Sequence, residues 1–279
     1  MPAFKKGFRT LAMIAALGGL GTGAALAADP SWDEAAGKLR AVQLPSGNAE
    51  AILVQAKERK LSPAVVMEWT ERMLRLQQAG VPAALMGERI VQGLIKGVPA
   101  PRLGQALETL QANLTWAKQA VDQHVPKAEV RANPAQFEEA CRNLDSALRA
   151  GLTRPQLEQI FGTEALTLQQ MATLARVAAD LHSWNAAPQA TVRVLSEAAR
   201  GGVPAKELDR LEAKFAAGIA AGRPADNPLA EFEQGIKEFR SGNRENLREE
   251  MREQMHHERM QDFKGPSGSP GGPGGYPGY

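Results

Sequence analysis

Apolar residues recur along most of this chain at alternating steps of three and four. Leu103, Leu107, Leu110, Leu114, Ala117 and Val121 form the longest such stripe. Val66, Trp69, Met73 and Leu76 repeat the spacing. So do Phe137, Cys141, Leu144 and Leu148, and Met171, Leu174, Ala178 and Leu181. One apolar stripe per segment is the signature of an amphipathic helix with one buried face. The pattern predicts an all-α protein, its helices packed as antiparallel layers or as an α-solenoid-like body.

Between the stripes stands a recurring turn. Gly80-Val81-Pro82, Gly97-Val98-Pro99 and Gly202-Val203-Pro204 are three copies, and Gly151-Leu152-Thr153 and Lys60-Leu61-Ser62-Pro63 are looser ones. Glycine after the last helical residue takes the left-handed conformation without a Cβ clash. The next apolar residue folds back on the helix end, and proline sits at or near the first position of the following helix, where its missing N–H is not needed. Ser62 and Thr153 are candidate N-caps. Counting from each turn's first residue, position +6 is Val66, Met86, Leu103, Leu157 and Leu208. Position +10 is Thr70, Ile90, Leu107, Phe161 and Glu212. The turns lie near multiples of 17 residues apart, with Leu44-Pro45 as a degenerate earlier copy. This reads either as an internal repeat or as one inexpensive turn used many times. A 34-residue helix pair is the tetratricopeptide length, but the W-x2-L-G-x2-Y pattern is missing and no family is assigned.

The segment from 226 onward reads differently. Asn227-Pro228 breaks the body. Leu229, Phe232, Ile236 and Phe239 then make a stripe one residue wide, rimmed by charge. The reading is a long charged amphipathic helix over 226–263. It follows a helical body over 28–225 and precedes a Pro/Gly-rich tail over 264–279, expected to be disordered. A stripe this narrow suits a two-helix seam, so the helix is the expected contact with a protein partner or a second copy.

The first 27 residues carry Lys5, Lys6 and Arg9, then the apolar run Leu11–Leu17, then Ala25-Leu26-Ala27. This is the order of a secretory signal peptide cleaved after Ala27. Export to the periplasm or the medium is therefore expected, with no membrane span after cleavage. The precursor has a net charge of +2. Removing the three leader cations leaves the mature chain slightly acidic, which argues against a nucleic-acid partner.

Composition sharpens the fold class. The 279 residues include 47 alanines against 14 valines and seven isoleucines, and 5% are aromatic. Alanine loses no side-chain entropy in a helix, whereas β-branched and aromatic residues favour strands. The single cysteine, Cys141, excludes an intrachain disulfide and sits on an apolar stripe as a core residue. The four tryptophans read mainly as core. Trp116 lies off its helix's seam, which suits a second interface or the lining of a groove.

Candidate chemistry is sparse. G-x-S-x-G, H-E-x-x-H, G-x4-G-K-[ST] and G-x-G-x-x-G are absent, so neither an enzyme nor a cofactor is expected. His124 and His182 fall near helix ends, where a cation suits the helix dipole. Met251, Met255, His256, His257 and Met260 combine thioether and imidazole, the ligand set of Cu(I). They are the candidate metal ligands. The leading expectation is an exported non-enzymatic scaffold or binding protein of the cell envelope. The alternative is a periplasmic, copper-type metal-handling protein.

Overall fold

A computed structural model describes residues 30–242 and 245. Among them the regular structure is entirely helical. The elements are α1 (Trp32–Arg40), α2 (Asn48–Glu58), α3 (Pro63–Gln78), α4 (Ala84–Ile95), α5 (Ala100–His124), α6 (Lys127–Ala132), α7 (Pro134–Ala150), α8 (Arg154–Phe161), α9 (Leu168–Ser183), α10 (Pro188–Arg200) and α11 (Ala205–Ala220). A further helix, α12, covers 226–242.

The turns are formed by local hydrogen bonds. At Gly80 (φ 69°) the N–H of Val81 donates to the Leu76 carbonyl, five residues back, at 2.9 Å. The same closure occurs at Gly97, Gly151 and Gly202, and at Lys60, where a lysine holds φ 56°. It satisfies carbonyls that the helix end leaves open. Two more turns close identically at Asn185 and Gly222. The sequence pattern passed over them because Ala186 and Arg223 replace the Val or Leu. In the three G-V-P turns proline sits one or two residues before the first helical position. Pro99 and Pro204 are N-caps of α5 and α11 with extended ψ, and Pro82 precedes the N-cap Ala83. An N-cap is non-helical and compatible with the φ of proline.

Helix starts are partly capped by side chains. Ser31 Oγ accepts from the Glu34 N–H at 3.1 Å. Thr167 and Gln170 form a reciprocal capping box. Thr153 N–H donates to Gln156 Oε1 at 2.8 Å. Ser62 occupies the N-cap of α3 without a side-chain cap bond, and Pro63 opens that helix.

From α1 to α11 each odd-numbered helix packs on the next odd-numbered one, while α2 packs on α4 and α8 on α10. One contiguous hydrophobic core runs through them from Ala35 to Ile236. All five residues at position +6 are buried, and so are all five at +10, including Thr70 and Glu212. Thr70 satisfies its hydroxyl on the Val66 carbonyl at 2.8 Å. Between α5 and α7 the buried Asp145 accepts from Asn113 Nδ2 at 3.0 Å and from Arg149 Nε at 2.7 Å.

The boundary expected at residue 226 is not a break in packing. Leu229, Phe232 and Ile236 are buried in the same core as the preceding helices. Gly235 leaves room for the Leu211 side chain of α11, and Gly218 leaves room for Pro228. Arg193 of α10 holds Glu233 with two hydrogen bonds of 2.9 Å. The Arg193 and Lys237 cations bring the Glu233 carboxyl down to about 2. The narrow stripe anchors the helix because α10 and α11 already present an apolar surface that matches it. That stripe, offered by the sequence to a partner, is used inside the molecule.

Candidate functional site

The five candidate metal ligands, Met251, Met255, His256, His257 and Met260, lie outside the described residues. Among the described residues no group of three or more His, Cys, Asp or Glu side chains is placed to hold a metal ion. Cys141 is fully buried, and burial pushes its thiol up to about 12. A thiol held protonated is a poor nucleophile. His124 ends α5 and packs its ring 5.7 Å from that of Phe161. His182 sits in the last turn of α9 against Gly151.

A groove of about 480 Å³ is bounded by α3, α5 and the start of α8. Its floor follows one face of α5. Gln111, Thr115 and Gln119 succeed one another at steps of four, which stacks them on one helical face. Trp116 lies beside them, 8% exposed, and its Nε1 donates to Glu158 at 3.3 Å. It is the tryptophan that the seam left over, and it lines the groove.

Three arginines surround this floor. Arg72 and Arg75 come from the second half of α3, three residues apart. Arg72 is paired with Glu68 at 2.9 Å and reaches Gln111 at 3.5 Å. Arg154 is the first residue of α8, stands 5.9 Å over the Trp116 ring and donates to the Ala112 carbonyl at 3.2 Å. Arg75 and Arg154 have no carboxylate partner among the described residues. A cation at a helix N-terminus opposes the helix dipole, a cost of a few tenths of a kcal/mol or more. The Trp116 face offsets part of it. Glu108 lies at the α5 side of the groove.

Comparison with protein-family models, curated proteins and solved structures found no match. The groove's own chemistry therefore carries the reading. Guanidinium forks donate to carboxylates, glutamine amides donate to and accept from a backbone, and an indole offers apolar area.

A second polar cluster joins α9 to α11. Arg176 meets Asp209 and Glu212 at 2.5 Å each and Asp180 at 3.4 Å. Glu212 fills a +10 core position, and burial together with a hydrogen bond to Asp180 raises its carboxyl to about 7. Neither cluster is evident from spacing alone. The signals available in the sequence are Arg154 at a helix start, Gln111 and Gln119 inside a leucine-seamed helix, and a glutamate where three of the other four copies place an apolar residue.

Proposed function

We propose that this chain is an exported, non-enzymatic helical scaffold that binds a protein partner in the α3–α5–α8 groove. Its body is read as solenoid-like, because next-but-one packing of the odd-numbered helices is how such stacks are built. The observation that carries the binding role is Arg154. It is held at an unfavourable helix end, without a carboxylate partner among the described residues, facing a groove floored by Trp116 and an amide stripe. Export is supported by the basic, apolar and Ala-x-Ala order of residues 1–27. No helix among the described residues is long and apolar enough to cross a membrane.

Two measurements test the proposal. N-terminal sequencing of the chain recovered from the cell envelope or the medium should begin at Ala28. A photo-crosslinking residue at Gln119 should capture a discrete partner in the producing cells, and the adduct should vanish in an R75E/R154E variant. A cytoplasmic, uncleaved chain would overturn the export claim. Failure of Gln119 to crosslink would overturn the binding role of this groove.

A further inference from the structure

The chemistry of the groove also selects a class of partner. We propose that it recognises an extended peptide segment bearing carboxylate side chains, an inference that rests on the binding role given above. Gln111 and Gln119 are two helical turns apart, about 12 Å along α5 at 1.5 Å per residue. An extended peptide covers that distance with about four residues. Primary amides at both ends of such a span can each donate to and accept from a backbone. Arg75 and Arg154 then stand beside the peptide with their forks unclaimed by carboxylates among the described residues. Arg72 is already half neutralised by Glu68 and adds less.

Glu108 sets a local exclusion. It lies on α5 about one turn before Gln111, so an acidic side chain is disfavoured directly beside it. The same glutamate, with Glu158 beside Trp116, opposes a nucleic acid, whose backbone charge is unbroken along the strand. A peptide can place its charges singly, and this arrangement requires that.

Selection of a random displayed-peptide library on the purified chain tests the inference. Selected peptides should be enriched in Asp and Glu. They should bind about tenfold tighter than counterparts carrying Asn and Gln at those positions, with the advantage falling as salt rises. R75E/R154E should abolish the acidic preference, and R75Q/R154Q serves if the charge reversal disturbs the helical circular dichroism. Q111A/Q119A should weaken binding of acidic and amide peptides alike.

The alternatives separate cleanly. If selected peptides bind and are blocked by a crosslink at Gln119 but show no acidic preference, the carboxylate inference fails and the binding role stands. If no peptide is selected and Gln119 captures nothing in cells, both fail. Glutarate competing as strongly as the peptide would make the ligand a small dicarboxylate and overturn the inference. So would a single-stranded oligonucleotide binding in place of peptides.

Discussion

Glu212 shows how one residue can depart from a recurring apolar pattern and still be accommodated. At this position other copies of the pattern bury Thr70, Ile90, Leu107 and Phe161. A carboxylate there loses hydration, and the protein answers with the Arg176 cation, while burial and the neighbouring Asp180 push the Glu212 carboxyl up. The sign of the pH dependence follows. The folded carboxyl titrates near 7 and an unfolded one near 4.5. The folded state therefore holds the extra proton between those values. Its contribution is complete below pH 4.5 and is lost as pH rises through 7. Glu212→Gln keeps the acceptor for Arg176 and a donor for Asp180. It should flatten the stability-versus-pH curve over that window and stabilise the protein above pH 7, by on the order of 1–2 kcal/mol. Urea melts at pH 5 and pH 8 read this directly. An unchanged difference between the two pH values would refute the assignment. Cys141 makes a simpler case. Fully buried and held protonated, it should react with a thiol reagent only after denaturation, and rapid labelling of the native protein would contradict its burial.

At the scale of elements, the helix ends divide into fitted and strained. Gly202 holds φ 62° with open space around a would-be Cβ, so Gly202→Ala tests the left-handed backbone alone. The expected loss is about 1 kcal/mol. Lys60 holds φ 56° with a side chain that disfavours it. Lys60→Gly should stabilise by about 0.5 kcal/mol, the relief of the left-handed strain exceeding the added unfolded-state entropy. Thermal melts of the two variants should move in opposite directions. A shift of the same sign would show that the turns are held by something other than their backbone closure.

The whole molecule gives α12 a role that its sequence understated. Phe232 is 1% exposed in the core shared with the preceding helices, and Leu229 and Ile236, on the same stripe, are buried with it. Phe232→Ala should cost about 3–5 kcal/mol in denaturant unfolding. Removing everything from residue 226 onward should lower Tm markedly, because the apolar surface of α11 at Leu211 loses its cover. A truncated body with an unchanged Tm would restore the separable-module reading. The Arg193–Glu233 pair works in the same direction. With Glu233 depressed to about 2, its contribution is present above pH 4.5 and is lost as pH falls through 2. Acid should therefore loosen α12.

Helix stripes and five of the turns are legible in the sequence because both are closed locally. An apolar stripe is set by 3.6 residues per turn, and the turns at Gly80, Gly97 and Gly202 are completed by hydrogen bonds reaching five residues back. The turns at Asn185 and Gly222 use the same closure, and they are hidden because Ala186 and Arg223 stand where the other turns have Val or Leu. The all-α class and the burial of Cys141 follow from these local rules. The tertiary structure decided which helices become neighbours, and with that everything that depends on distant pairs. Arg154 meets Trp116 from 38 residues away, Arg176 meets Glu212 from 36, and Arg193 meets Glu233 from 40. The periodicity of a helix specifies that it has an apolar face but not what covers it. The fate of the 229–236 stripe, a seam for a partner or the edge of this core, was therefore open until α10 and α11 were seen to cover it.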